Sequence, residues 1–594
     1  MKIETRNKAQ RLEYFKSLYE NARRAYSDSL NAFKRCMEQY RGSDEIDGST
    51  EPAATVRNVT YEIIESQVSS AIPRPKCDAP TYSEKKERLA MTVERLCRAQ
   101  RDKLPFAKLN DLDERYTYIY GGSVWFVEWN NTRESAGEVG AVDVHLISAE
   151  DFIPEPYVYD VKDMEYCFLR FRTTRGALMR KYRLDAEQAS LAECECEDEA
   201  FDYADTVSLI IAFYKDDLGE VGQFIFSGDI ALADNEGYYR RKIALCAVCG
   251  EREDRCRCEH PKLKLDVQQS EEVSGRDPMQ RPISVDYYTP KDFPIVIRKN
   301  TSGEKCLLGQ SDCDYIRPQQ QAINKIESRI LKKLLRAGVT PVVPEDASVS
   351  VNNSVFGQVI RMKPGESMSQ YGKVDTTPDV SQDIAEAERL YDHTKRVLGI
   401  SDAFQGTSFE AGESGYARQL RIAQSSGRLE SKRKMKSVAY AELDRLIFLH
   451  YLAFSDGERK ISYKDTFGRV HREVFNRYDF LEYDVASGSF CYDDDFLFST
   501  DDDGADEYQR ESTWQRNLNN LTSGTLGDPN ASETLLRYWQ CQEAAHYPGA
   551  RENVEYFLEK IRKEISSVQE PIEGASQEPT EILRGIRGGK EDTE

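Results

Sequence analysis

Apolar residues at Leu12, Phe15, Tyr19, Ala22, Tyr26, Leu30 and Phe33 recur every three or four positions through a charged stretch. That spacing predicts one long amphipathic helix over residues 8–41. "GSDEIDGSTEP" breaks the pattern, and helical spacing returns at about 55–72 and 83–120. The period then changes. In "GGSVWFVEWNN" and "VGAVDVHLIS" β-branched and aromatic residues bounded by glycines predict strands. Further strands fit 163–173, 206–214 and 221–234, with a short helix at "TRGALMRKYRL" between the first two. "ISVDYYTPKDFPIVIRKN" resumes the β region, so 246–282 reads as an insertion between strands.

From residue 311 the character is helical again. Ile316, Ile323, Ile326, Ile330 and Leu334 form one stripe, with Pro318 near the start and Gly338 at the stop. "TPVVPEDASVSVNNSVFGQVIRMKPGES" is a β and turn segment. A second helix follows, with Ser381 as its expected cap, Ile384, Ala387, Tyr391 and Leu398 on one face, and Gly399 at its end. After the small-residue loop "SDAFQGTSFEAGESG" a helical pattern runs from about 414 to 454, with Gly427 its one weak point. Strands return at "RKISYKD" and "RVHREVF", joined by a turn containing Phe467 and Gly468, and again over 478–498. Helices fit 505–521 and 531–563. The last stretch, 566–594, is rich in Pro, Glu and Gly and is expected to be disordered. The mixture is that of an α+β protein.

Length and charge narrow the classes. A chain of 594 residues is too long for one simple core. Its net charge of −22 argues against a general DNA-binding surface, which needs clustered Lys and Arg. No run approaches the roughly 18–20 apolar residues of a membrane span. "MKIETRNKAQRLEYFKSLYE" has no apolar core of a secretory signal. Fourteen scattered cysteines point to thiols or metal ligands in a reducing compartment. The expectation is a soluble protein made in the cytoplasm.

The densest chemistry lies in "CAVCGEREDRCRCEH". Cys246, Cys249, Cys256 and Cys258 offer four thiolates, with His260 as a spare ligand. Zinc takes four tetrahedral N or S ligands, and C-x2-C lets two thiolates share one ion. The polar surroundings cannot bury a core, so a structural zinc would be what orders the insert. A loop of free thiols is the alternative. Catalytic constellations are thin: there is no phosphate-binding G-x-x-x-x-G-K-[ST], no G-x-S-x-G and no H-E-x-x-H. The acidic runs 493–495 and 501–503 lack the alternating ligands of a calcium loop and read as solvated turns. The sequence does not look like an enzyme. In "RLESKRKMKSV", Arg428, Lys432 and Lys436 fall four apart and share a helix face. That face is expected to be solvated and laced with ion pairs such as Glu430 with Lys434; a subunit-facing or DNA-facing stripe is the sharper reading.

The order of parts resembles the portal protein of tailed bacteriophages. The resemblance rests on "CLLGQSDCDYIRPQQQAINKIESRILKKLLRAGVTPVV" and "VLGISDAFQGTSFEAGESGYARQLRIAQSSGRLESKRKMKSVAYAELDRL", supported by "GGSVWFVEWNN", "LISAEDFIPEPYVYD" and "FRTTRGALMRKY". It covers about 55–505 as loosely spaced phrases without a catalytic signature. It implies a wing over 1–310 and 455–504, with the insert 246–282 on its exterior. The stem would be 311–338 and 381–400, the clip 339–380, and the channel loop 401–415. The long helix would span 414–454, the crown 505–565, and a tail 566–594. The loop at the channel would carry Phe404, Gln405, Thr407, Ser408, Phe409 and Glu410, with Phe404 and Phe409 either packed back on the stem or touching passing DNA. Arg428, Lys432 and Lys436 would pair with carboxylates of the same or a neighbouring subunit.

The function implied is a ring, usually of twelve copies, at one capsid vertex of the virion, assembled in the bacterial cytoplasm. Viral double-stranded DNA would pass through it without sequence-specific contacts during packaging and ejection. Its implied partners are the terminase large subunit, the major capsid and scaffolding proteins, and a head-tail adaptor. The competing classes are a zinc-containing nucleic-acid-processing enzyme, which needs a basic groove and an open metal position, and a virion scaffold or adaptor.

Overall fold

The computed structural model describes residues 7–43, 57–135, 138–193, 206–240, 242–246, 263–267, 270–273, 283–303, 306–335, 339–342, 350–354, 357–361, 372–375, 378–400, 415–455, 458–464, 469–484, 488–501, 507–545 and 547–568. The chain is a mixture of helix and sheet, as its two hydrophobic periods predict. It forms two compact units, one holding everything up to Asp506 apart from residues 465–469, the other holding the C-terminal helices.

The stripe that begins at Leu12 is two helices, α1 (Lys8–Ala25) and α2 (Ser27–Arg41), which change direction at Tyr26. Asn7 caps α1 through a reciprocal bond with Gln10, and Gly42, in a left-handed conformation, ends α2. After α3 (Val59–Gln67) and β1 (Pro75–Asp78), the pattern expected as helix over 83–120 is α4 (Glu84–Lys103) and α5 (Phe106–Tyr120), separated by Leu104 and Pro105. Proline disfavours a helical conformation at the residue before it, which is the physical reason for the break.

Gly121 closes α5 at φ +87°, and a Cβ there would lie 2.7 Å from the backbone of Gln310. Only glycine lets those two segments approach so closely. That approach brings the start of a later helix against the end of α5.

β2 (Gly122–Ser135) and β3 (Glu138–Ile147) form a hairpin, with β2 also paired to β13 (Ile295–Lys299). β4 (Phe152–Pro154), β5 (Tyr166–Thr174), β6 (Thr206–Lys215), β7 (Val221–Ser227) and β8 (Ile230–Asn235) make a five-stranded antiparallel sheet. α6 (Arg175–Tyr182) and α7 (Ala186–Ser190) lie between β5 and β6. The strand expected over 221–234 is therefore two, turning at Gly228.

Alternation along the strands sorts the core into layers. Phe168, Ile210, Phe224 and Phe226 pack under Phe15, Tyr19 and Ala22 of α1. Leu169, Ile211, Phe213 and Ile225 face the other way, onto Val124, Phe126 and Ile295 of the three-stranded sheet. Trp125 and Val127 point away from that contact into a third layer. Sheet alternation is thus used on both faces, which is why β6 and β7 are buried along nearly their whole length.

Across the expected insertion and its flanks, β9 (Lys242–Cys246) pairs with β10 (Leu263–Val267), and β11 (Ser270–Val273) with β12 (Ile283–Asp286). Next comes α8 (Asp312–Leu335). Short strands β14 (Val339–Val342) and β17 (Gly372–Asp375) pair with each other, as do β15 (Ser350–Ser354) and β16 (Gly357–Arg361). α9 (Ser381–Leu398) follows, then α10 (Gly415–Phe454), continuous through Gly427.

Two sequence expectations fail here. Ser381 lies inside α9 and does not cap it; Asp379 accepts from the Ser381 N–H at 2.9 Å instead. Ile384 and Leu334 belong to their predicted stripes but are about half exposed, because the apolar stripes of α8 and α9 are wider than the contact that covers them.

β18 (Glu458–Lys464) and β19 (Val470–Asn476) form a hairpin; β20 (Leu481–Asp484) pairs with β21 (Ser489–Tyr492), and β22 (Leu497–Thr500) with β1. The third core layer joins α4, Trp125 and the C-terminal half of α10 to Phe475, Phe480 and Phe496. Residues 446–453 of α10 are buried without interruption, since the helix has sheet or helix on every side there.

The second unit contains α11 (Glu507–Thr522), α12 (Ser532–Ala544) and α13 (Ala550–Val568). The single helix expected over 531–563 is two, interrupted at Pro548 and Gly549. Trp514 and Tyr547 meet edge to face at 4.9 Å, and the Trp514 indole N–H donates to the Ala545 carbonyl at 2.9 Å.

Candidate functional site: the charge clamp beneath the long helix

Where α10 crosses α5 and the start of α8, its inner face carries two lysines into an acidic, buried seam. Lys432 Nζ lies 2.6 Å from Asp312 Oδ2 and donates to Gln67 Oε1 at 3.0 Å. Its ammonium also stands 4.9 Å from the centre of the Tyr118 ring. Asp312 opens α8, where the helix dipole favours a carboxylate, and it also accepts from Asn300 at 2.8 Å and Gln67 at 3.1 Å. One turn further, Lys436 Nζ lies 2.9 Å from Glu114 and donates to the Ala71 carbonyl at 2.6 Å. Glu114 is shared with Arg298 of β13, at 2.8 Å, and accepts from the Ser69 N–H at 3.1 Å. Arg298 also bonds Asp113, which accepts from Ser123 and, at 3.0 Å, from the Trp125 indole.

These groups have almost no contact with solvent: Asp113, Glu114 and Asp312 are 0–1% exposed, and Arg298 is 2%. Burial pushes the Glu114 carboxyl up, but Arg298 and Lys436 outweigh it and hold it below the ordinary glutamate value. Burial also draws the Lys436 ammonium down; Glu114 opposes this, but it is divided between two cations. Burial disfavours the Arg298 cation as well, yet Asp113 and Glu114 more than compensate and raise its pKa. Each acid has a cation and each cation a carboxylate. The arrangement bolts α10 to α5, β13 and α8.

Further along α10, Asp444 receives a two-pronged contact from Arg101, at 2.6 and 3.1 Å. Burial nevertheless raises its carboxyl to about 6, against the pull of Arg101. His450 is fully buried. Its Nδ1 lies 2.8 Å from the Leu446 carbonyl, and burial lowers its pKa to about 4.

The expectation of a solvated face for the basic stripe is overturned for Lys432 and Lys436, whose side chains are buried in ion pairs within the chain. The solvated side of the helix is the one that carries Glu430. Arg428 lies on α10, and its side chain is outside the described residues. Cys246 ends β9 opposite Leu263, while Cys249, Cys256, Cys258 and His260 lie outside the described residues. So do the loop residues Phe404, Gln405, Thr407, Ser408, Phe409 and Glu410. Asp113, Glu114, Arg298 and Asp312 were not singled out from the sequence. The available signal was Asn110, Asp113, Glu114, Thr117 and Tyr118 at helical spacing, a polar stripe that turns out to face inward.

Among the described residues one cluster could hold a metal ion: Glu128, Asp143 and His145, on β2 and β3, offer ligand atoms within 4.8 Å of one another. Glu128 and Asp143 sit directly opposite across the two strands, a like-charge pairing that needs a cation. Arg133 supplies one to Asp143 at 2.6 Å, Asn130 donates to it at 2.8 Å, and His145 Nε2 lies 3.1 Å from Glu128. The two carboxylates thus already have hydrogen-bonding partners within the chain. No known family pattern matches the sequence, and no curated protein matches it either.

Proposed function

We propose that the chain is one subunit of a ring that forms the DNA channel at a capsid vertex, the portal of tailed bacteriophages. The observation that carries this reading is the helical pair α8 and α9. The two are joined by Asp383, which lies 2.5 Å from both Arg329 and Lys333, and by Ile316 and Ile323 packed with Leu398. Yet Tyr315, Leu334, Ile384 and Val397 stay 38–51% exposed on the same two helices, and Val438 on α10 is 58% exposed. Single exposed apolar residues are ordinary; five on neighbouring long helices suit contacts between copies.

The order of parts supports the same reading. A helix, a small β unit, a second helix and, after residues 401–414, a 40-residue helix of about 60 Å suit stem, clip, stem and the helix behind the channel loop. In this reading the charge clamp keeps that helix fixed while DNA slides past, and a net charge of −22 per subunit keeps the duplex from sticking. The clip and wing serve as docking surfaces for the packaging motor, the capsid and the head-tail proteins. The insert is held by one structural zinc on Cys246, Cys249, Cys256 and Cys258, with His260 in reserve.

Native mass spectrometry tests the reading. Closed rings of about twelve or thirteen copies are expected; monomers and dimers alone, over a range of salt, would refute it.

A further inference from the structure

The break between α1 and α2 opens a cleft of about 450 Å³ against the five-stranded sheet. Arg23 and Arg24 of α1 and Lys34 of α2 line one side, and Arg170 and Arg172 of β5 the other. Against these five cations the lining sets Glu20 and Glu150, and Asp151 behind it neutralises Arg170, which leaves a surplus of two positive charges in a chain whose net charge is −22. Part of the wall is already engaged: Arg170 is tied to Asp151 at 2.8 Å, and Glu150 accepts from the Tyr120 hydroxyl at 3.2 Å. Arg23, Arg24 and Lys34 are different. They are exposed, and they form no ion pair among the described residues.

Basic residues in a last helical turn commonly serve the helix dipole. Here that explanation is weak, because α2 begins only three residues after Arg24 and presents its positive end to the same spot. Tyr26 supplies no side-chain cap to α2, so its first N–H groups add to the positive character of the cleft. The floor is apolar, formed by Tyr19, Leu30 and Ile153.

We propose that this cleft binds a short acidic peptide segment of another protein, with carboxylates on Arg23, Arg24 and Lys34 and an apolar side chain on the floor. Charge complementarity selects the anion, since arginine forks match carboxylate geometry. Size selects a short peptide over nucleic acid: a few residues fill the cleft, whereas a phosphodiester chain would run on over a surface that repels it. The inference does not depend on ring formation.

The test is fluorescence anisotropy with a fluorescein-labelled Glu-Glu-Leu-Glu-Glu peptide, its Gln-for-Glu counterpart, and an oligothymidylate of equal net charge. Saturable binding of the Glu peptide alone is expected, at one per chain and weakened by salt. The triple variant R23Q/R24Q/K34Q should lower affinity on the order of tenfold with unchanged circular dichroism. The single variant Lys34→Glu provides a milder check, with a smaller loss in the same direction. No saturable binding, binding unchanged in both variants, or tighter binding of the oligothymidylate would each overturn the proposal. Peptide binding by protein that never forms rings would leave it standing while the ring reading failed.

Discussion

Acidification should act on α10 through two buried groups that pull in opposite directions. His450 has a folded pKa of about 4 against an ordinary 6.5, so below pH 6.5 the open state takes up a proton that the folded state refuses. Its contribution is complete above pH 6.5 and is lost as pH falls toward 4. Asp444 is the reverse: its carboxyl is raised to about 6 from 3.8, so the cost of burying its charge is relieved as pH falls from 6 toward 3.8.

Between pH 7 and pH 4.5 these shifts correspond to a loss of about 2–3 kcal/mol from His450 and a gain of about 2 kcal/mol from Asp444. The wild-type helix should therefore be nearly indifferent to pH over this range. His450→Leu should become about 2 kcal/mol more stable on acidification, and Asp444→Asn about 2–3 kcal/mol less stable, each measured against its own value at pH 7. Hydrogen exchange of peptides covering residues 440–454, corrected for intrinsic rates, reads this opening directly. The expected changes are roughly 30-fold more protection in the first variant and roughly 70-fold less in the second. Both variants drifting the same way, or His450→Leu tracking the wild type, would refute the assignment of the two groups.

Lys436→Ala should destabilise the attachment of α10 by about 3 kcal/mol, the low end for breaking a buried pair, because Glu114 keeps Arg298. The double variant Lys436→Met with Glu114→Gln should recover part of that loss in the same exchange experiment. Untreated protein should carry about one zinc per chain by elemental analysis, removed by replacing Cys246 and Cys249 with Ser while assembly is unaffected; zinc-free protein would favour free thiols. Shortening the loop between Ser401 and Gly415 should spare assembly but impair packaging or retention of DNA. Normal retention of full-length genomes by such a deletion would contradict the channel-loop assignment.

Much of the local structure is legible in the sequence. The period of Leu12 to Phe33 marks helix, the β-branched runs after Gly121 mark strands, and Gly399 marks the end of α9, because these depend on neighbours a few residues away. The misreadings are local too: Tyr26, Leu104–Pro105 and Pro548–Gly549 divide patterns whose periodicity runs straight through them. What periodicity does not contain is which side of an element faces inward when every side is polar or every side apolar. Residues 446–453 are apolar all round apart from His450, and could only be placed once strands surrounded them. Lys432 and Lys436 read as a solvated stripe because two lysines a turn apart are normally exposed. Only the tertiary structure brings Asp312, 120 positions before Lys432, and Glu114, more than 300 before Lys436, beneath that stripe. Burial then turns four ordinary charges into a clamp, because a buried charge must find its opposite and the opposite lies far away along the chain.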